Sequence, residues 1–410
     1  MDYSDNKVIL PTVVLHWNYR GFTEFPLHLL NGEELEITDI YLKENLISRL
    51  PSDIGRLEHL ESLYLSGNDI SALPREISKL RALKCLDVSG NRLKNIPEDI
   101  GDVRGLKFLI LDENELSELP LRIGELRSLR YLSVCDNNLQ WLPQRPVYNF
   151  YHCEFRFWRN NLKAIPFSLW YHMFRHQQTR SFGMGYVFFY VPISSNHQVC
   201  RLTITSENGS QKIDVQCPPQ HQNILVNPHS PPDLYELCRR RLYQIISDTA
   251  KKLTTETQSI YSHFTYDRQN ITHMQQNFKD INLDNVKNIP SVDKNGNYQI
   301  KVIPSVSKNG SKKKEKCYYT PSDIVDEHYN FLPMFMKRDL RVGPLSKCEN
   351  VACQKTIFDF VFYEFCIGEI ILIDRTESVI LSAVFCSKSC AEVWKQGRTS
   401  TIPWSLVNNE

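Results

Sequence analysis

Between residues 37 and 166 one phrase recurs every 23 residues. Asn45, Asn68, Asn91, Asn114, Asn137 and Asn160 are equally spaced, and so are Leu50-Pro51, Leu73-Pro74, Ile96-Pro97, Leu119-Pro120, Leu142-Pro143 and Ile165-Pro166. Aliphatic residues frame them, as Leu60, Leu63, Leu65, Ile70, Leu73, Ile77 and Leu80 do in one unit. Chance does not hold such a register. No single unit is large enough to bury its own leucines, so the units must stack. Leu63-x-Leu65 predicts a short strand in each unit, and the asparagine an inward amide that satisfies buried turn groups. The proline after each inner aliphatic residue ends the strand ladder, because it has no N–H to donate.

A period in the low twenties is the mark of leucine-rich repeats. The expected fold class is α/β: a leucine-rich repeat solenoid, a parallel β-sheet horseshoe, followed by a small α+β C-terminal module. Residues 8–34 carry Leu15-His16-Trp17-Asn18 and Phe25-Pro26, the same phrase with about two extra residues, and read as an N-terminal cap repeat. Six repeats fill 35–175, the last degenerate, with Phe155, Phe157 and Trp158 in place of aliphatics. Strand alternation then gives the concave surface. Phe108, Ile110 and Tyr131 form its apolar centre, with Asp87, Asp112, Glu113 and Asp136 around it and Arg156 and Arg159 at one end. An aromatic centre with a charged rim suits protein recognition. Tyr64, Asp87, Phe108, Ile110, Asp112, Glu113, Tyr131, Arg156 and Trp158 are the expected residues of this protein-binding face. Scattered aromatics on any solenoid surface are the competing reading.

The 410 residues allow two or three domains, and a net charge of +1 argues against bulk binding of nucleic acid or an anionic membrane. No run of 18 apolar residues exists, and the first residues lack the basic and apolar regions of a signal peptide. The 12 cysteines are then expected as reduced thiols or metal ligands in a cytoplasmic protein. The run Lys312-Lys313-Lys314-Glu315-Lys316 leaves nuclear import open.

Beyond the repeats, residues 176–230 read as a small β module, with a hairpin at Asn208-Gly209. Pro231-Pro232-Asp233 opens a helix over 231–250, with Asp233 as its cap and Leu234, Cys238 and Leu242 on one face beside Leu237, Ile245 and Ile246. By itself such a helix most simply packs on its own domain. Residues 251–317 are polar; a helix could form early in them, but much of the segment reads as a flexible insertion. In 318–345, Pro333 starts a short helix with Leu332, Met336 and Leu340 along one side. The tail, 346–398, holds the pairs Cys348/Cys353 and Cys386/Cys390 with β-rich sequence between them. Four soft thiolates suit a tetrahedral structural Zn²⁺, which gives the C-terminal module a zinc-ribbon-like tail; four buried or free thiols are the competing reading. Cys366, alone on a strand, is expected in the core. No base lies near the cysteines, and nothing resembles a nucleophile pair or a phosphate loop, so a non-catalytic protein is expected.

This order of parts resembles the leucine-rich-repeat-containing proteins 28 and 58, the start from Leu15 to Leu30 looking like the former and the cysteine-paired tail like both. The insertion departs from that family. Leu234-x-x-x-Cys238-x-x-x-Leu242 is similar to the BC box, by which substrate receptors of cullin-RING ubiquitin ligases insert into Elongin C, although Asp233 replaces the usual small residue or proline. Leu332-Pro333-x-x-Met336-x-x-x-Leu340 is similar to a cullin-2 box, and Phe335 stands where the cullin-5 form has a second proline. The resemblance implies a substrate-recognition subunit bound to Elongin C (with Elongin B) through Leu234, Leu237, Cys238 and Leu242. It implies Cullin-2 contact through Leu332, Pro333, Met336 and Leu340. A signalling scaffold of the Ras-pathway or phosphatase-regulator type is the rival reading. A scaffold expects Leu234 and Cys238 buried within the chain; a receptor expects them to face a partner.

Overall fold

A computed structural model describes residues 13–30, 36–144, 153–170, 198–206, 209–221, 223–224, 232–266, 291–292, 298–299, 318–371, 376–396, 398 and 401–407. Seven strands form one parallel sheet in chain order: β1 (Val13–His16), β2 (Ile37–Tyr41), β3 (Ser62–Tyr64), β4 (Cys85–Asp87), β5 (Phe108–Ile110), β6 (Tyr131–Ser133) and β7 (Glu154–Arg156). Leu63 stands opposite Leu86, Leu86 opposite Leu109 and Leu109 opposite Leu132, so the 23-residue period of the sequence is the register of the sheet. All four are fully buried. Pro51, Pro74, Pro97 and Pro120 cap short 3-10 turns on the opposite side, where their fixed φ helps and their missing N–H costs nothing.

The asparagines join neighbouring units. The Oδ1 atoms of Asn68, Asn91, Asn114, Asn137 and Asn160 accept the N–H of Ile47, Ile70, Leu93, Leu116 and Leu139, each in the preceding repeat, at 3.0–3.1 Å. Each Nδ2 donates both within its own repeat and backward, as Asn91 does to the carbonyls of Val88 and Leu65 at 3.0 Å. The residue before each asparagine is left-handed: Glu44, Gly67, Gly90, Glu113, Asp136 and Arg159 have φ between 52° and 68°. Two of the six are glycine, and the other four hold a conformation L-residues rarely adopt. The first unit is two residues longer, as expected. Asn45 Nδ2 reaches the Trp17 carbonyl 28 residues back, where Asn91 reaches 26.

The last repeat departs from the rule. Ile165-Pro166 forms a two-residue strand, β8 (Ile165–Pro166), at a sheet edge, where proline's missing donor is tolerated. The chain continues with β9 (Val199–Ser206), β10 (Gly209–Gln216), β11 (Asn223–Ile224), α1 (Leu234–Tyr266), α2 (Pro321–His328) and α3 (Met334–Val342). It ends with β12 (Ser346–Lys347), β13 (Thr356–Ile357), β14 (Phe360–Ile371), β15 (Thr376–Phe385), α4 (Lys388–Lys395), β16 (Thr401–Ile402) and β17 (Trp404–Val407). A sheet ordered β11-β14-β15-β8 abuts the final repeat and shares its core, with Phe167 edge-on to Trp394 at 5.2 Å and Trp394 against Phe385 at 5.3 Å. The open end of the solenoid is thereby covered.

Two expected boundaries change. The β9–β10 hairpin is not self-contained, since β9 also pairs with β17 from the far end of the chain. The helix expected over 231–250 runs on to Tyr266, because residues 251–266 contain no proline or glycine to stop it, so the expected insertion begins as helix. The apolar run Tyr186–Ile193 and the lysine run Lys312–Lys316 lie outside the described residues.

Asn91→Ala leaves the buried Ile70 N–H without its acceptor and removes one of two donors from each of three carbonyls across two repeats. Urea unfolding is expected to show a loss of about 1–3 kcal/mol, against under about 0.5 kcal/mol for the exposed Asn138→Ala.

Candidate functional site

Helix α1 starts as its sequence dictates, with Asp233 Oδ1 accepting the Glu236 N–H at 2.6 Å. Its two faces then separate. Glu236, Arg239, Tyr243, Ile246, Ala250 and Leu253 are buried, at alternating spacings of three and four. Leu234, Leu237, Cys238, Arg241 and Ile245 point to solvent along the other side. Leu234 is 76% exposed and Leu237 47%, large values for leucines at fixed helical spacing. Leu242, expected on this outer face, is half-buried and packs against the inner core. The Leu234–Cys238–Leu242 spacing of four drifts around the helix, which explains why one member turns inward.

The inner face is held by charge as well as by packing. Glu236, fully buried, accepts from Arg239 at 2.9 Å, from Arg240 at 2.5 Å and from the Phe358 N–H at 3.1 Å. Arg239 also reaches Asp339 on α3 at 3.0 Å and Asp359 before β14 at 2.7 Å. Burial pushes the Glu236 carboxyl up, with a hydrogen bond to Asp359 adding to it, against the pull of Arg240. Arg240 donates to the carbonyls of Phe360 at 2.6 Å and Cys386 at 3.5 Å, tying the helix to the cysteine-bearing sheet.

The segment expected to meet a cullin is divided in the same way. Leu340 is fully buried, and Leu332 and Met336 pack against the same core as Tyr243 and Ile246. A direct contact through Leu340 is therefore ruled out by its burial; its role is to seat α3. The residues that reach solvent here are Phe331, Pro333, Met334 and Phe335, with Met334 80% exposed. Of these, Pro333 is an expected contact, whereas Phe331, Met334 and Phe335 are apolar residues outside the expected set. Phe335 lies 6.2 Å from Tyr235, so the exposed patches of α3 and α1 adjoin. Helix α2 docks this assembly on the convex side of the repeats. Arg122, nearly inaccessible, bonds Asp102, Glu125 and Ser322, and Arg104 pairs with Asp323. Among the described residues, these helices leave the concave face open.

The four tail cysteines converge. Cys348 follows β12, and Cys353 closes a knuckle in which its N–H donates to Asn350 at 2.8 Å and Gln354 is left-handed at φ 55°. Cys386 follows β15, and Cys390 lies in the first turn of α4, its N–H bound to the Ser387 cap at 3.3 Å. The four sulfurs lie within 4.8 Å of one another, with Cys353–Cys386 at 3.5 Å and Cys386–Cys390 at 3.8 Å. Tetrahedral thiolate coordination at about 2.3 Å requires sulfurs about 3.8 Å apart, so the donor set fits a metal. Hydrogen bonds from the other thiols, Cys348 first, hold the Cys386 thiol down to about 5. The frame is one knuckle, a long hairpin and a helix start, which differs from the ribbon expected. Ser387 makes the second pair a helix cap where a ribbon has a second turn. Cys366 is buried on β14, as expected.

On the concave face Phe108 is exposed, Ile110 and Tyr131 are half-buried, and Arg156 lies over the Tyr131 ring at 5.3 Å. Trp158 packs on Phe157 at 5.0 Å, and Glu113 is exposed. Asp87 is a structural residue, buried and bonded to Ser89 and to Lys43 at 3.4 Å. Asp112 is half-committed: it accepts from Ser133 at 2.6 Å and Cys135 at 2.7 Å, and burial pushes its carboxyl up. Tyr64 belongs to a stack not anticipated in full, His16–Tyr41–Tyr64, with ring centroids 4.9 and 4.6 Å apart. His16 was hidden by the two extra residues of the first unit.

Residues 36–93 and 58–116 match the leucine rich repeat family. The chain carries a leucine-rich repeat domain. Among solved structures, this repeat protein is similar to a leucine-rich repeat protein of Leptospira interrogans (30% identity, TM-score 0.30, 36% of this chain and 37% of that one). It is also similar to the plant peptide hormone receptor RGFR1 in complex with RGF2 (27%, 0.29, 31% and 21%). A third is the ectodomain of the receptor kinase SOBIR1 from Arabidopsis thaliana (27%, 0.28, 31% and 72%). The chain thus spans 37% and 21% of the first two relatives. No curated protein matches it.

Arg239→Met leaves Glu236, Asp339 and Asp359 short of a partner in a buried site. A loss of about 3–5 kcal/mol in denaturant unfolding is expected, with Arg241→Met on the outer face nearly neutral.

Proposed function

We propose that this protein is the substrate-recognition subunit of an Elongin B/C–Cullin-2 ubiquitin ligase. The observation that carries the reading is the outward stripe Leu234, Leu237, Cys238 and Ile245 on a helix whose other face is anchored by buried charge. A helix that only capped its own domain would bury those residues. An amphipathic helix laid into an apolar groove uses this spacing of anchors. Leu234 and Cys238 fill the Elongin C pocket, with Leu237 and Ile245 beside them; Leu242 braces the helix from within. Beside it, Pro333 with Phe331, Met334 and Phe335 meets the cullin, while Leu332, Met336 and Leu340 hold that surface in shape. The concave face, through Phe108, Ile110 and Tyr131, takes a protein substrate. Ubiquitin transfer then gains from proximity, by holding a substrate lysine near a charged E2, and needs no acid–base group from this chain.

Cys348, Cys353, Cys386 and Cys390 hold Zn²⁺ in a closed structural role; four protein ligands leave no open position for substrate. Because Arg240 bonds the Cys386 carbonyl, the zinc knuckle steadies the root of the Elongin-binding helix.

Surface plasmon resonance of the full chain against Elongin B/C tests the recruitment. Leu234→Ala with Cys238→Phe should abolish binding without lowering the thermal midpoint, since both residues face solvent. Retained affinity in that variant would remove the helix from the reading. Phe331→Ala with Met334→Ala should keep Elongin B/C and lose Cullin-2. Elemental analysis should find about one zinc per chain. Cys353→Ser with Cys390→Ser should lose it and weaken Elongin binding as well, and a metal-free wild-type protein would contradict the zinc assignment.

A further inference from the structure

A second site lies where three parts of the chain meet: the last repeat, the β9–β10 hairpin and the β14–β15 hairpin. They enclose a half-open cavity of about 820 Å³, a size that takes a few side chains of a bound peptide. Five isoleucines line it, Ile204 and Ile213 on one sheet and Ile165, Ile367 and Ile380 on another. Ile165 is buried, Ile204, Ile213 and Ile380 are half-buried, and Ile367 is 39% exposed. Four cations ring them: Arg159, Lys163, Arg201 and Lys212. Among the described residues the lining contains one carboxylate, Asp214, and Arg201 holds both of its oxygens at 2.8 and 2.9 Å. Arg159 pairs with Asp136 at 2.6 Å, outside the lining. The exposed Lys163 and Lys212 leave a positive rim over an aliphatic floor.

That pairing of surfaces selects the ligand. The floor is aliphatic and Phe157 is the one aromatic among the described residues of the lining, so stacked nucleic-acid bases find no platform there. β10 is the outer strand of its sheet, and its residues Gln211 to Asp214 line the cavity. An extended chain can lie along such an edge with alternate side chains turned inward. We infer that this cavity binds an extended acidic peptide in which aliphatic residues alternate with aspartate or glutamate. The aliphatic side chains enter among Ile204, Ile213, Ile367 and Ile380, and the carboxylates meet Lys163 and Lys212. The site is separate from the concave centre and from the outer face of α1, and its occupancy depends on neither.

Fluorescence anisotropy of the purified full chain tests this with a labelled, acetylated and amidated ten-residue peptide of alternating Leu and Glu. Saturable binding is expected, weakening as salt rises, with none for the Leu/Lys counterpart. Lys163→Glu with Lys212→Glu should weaken it at least tenfold, and Ile204→Asp similarly, with unchanged thermal midpoints. Neither Phe108→Ala nor Leu234→Ala should alter it. The inference is overturned if the acidic peptide does not bind, or if charge reversal leaves its affinity unchanged. Loss of binding through Phe108→Ala, or competition by decanoate in place of peptide binding, would overturn it equally.

Discussion

Each asparagine of the ladder belongs to two repeats at once. Its carbonyl oxygen satisfies an N–H of the repeat before it, and its amide bridges carbonyls of both. Without that side chain the tight turn that follows each strand would bury backbone groups with no partner. With it, strand follows strand at a constant 23-residue interval from β2 onward, and the leucines interlock into one core. The concave surface, the convex docking site and the sheet that closes the solenoid all take their positions from this spacing. The left-handed residues beside the ladder show what it costs, since four of the six are not glycine.

The second organising interaction is the buried ion cluster of Glu236, Arg239 and Asp359, extended by Asp339 and Arg240. Buried ion pairs are a weak source of stability but a strict source of orientation, because a shifted helix leaves charges unpaired. Here they fix the rotation of α1, and so determine which residues turn outward. The same cluster links α1 to α3 on one side and to the cysteine site on the other. One rigid body therefore presents the two adjoining apolar patches, on the convex side and away from the concave face.

The solenoid was legible down to its strands because its constraints are local and repeated: a leucine at fixed spacing, an asparagine, a proline. The cysteine cluster was legible for a related reason, since two short pairs about thirty residues apart need one hairpin to meet. What the sequence did not yield was set by long-range contacts. Nothing near Trp404 reveals that it will pair beside Leu202. Helical spacing alone placed Leu242 and Leu340 outward, whereas the buried network turns Leu242 partly and Leu340 wholly inward. Asp87 read as a surface acid, yet Ser89 and Lys43 draw it into the protein.

The outward face of α1 as a partner-binding surface is the central claim, and hydrogen–deuterium exchange of the full chain with and without Elongin B/C tests it most directly. Insertion of this helix into Elongin C predicts new protection concentrated in peptides spanning 234–246, with the repeat strands unchanged. Protection confined to the repeats, or none anywhere in α1, would contradict it.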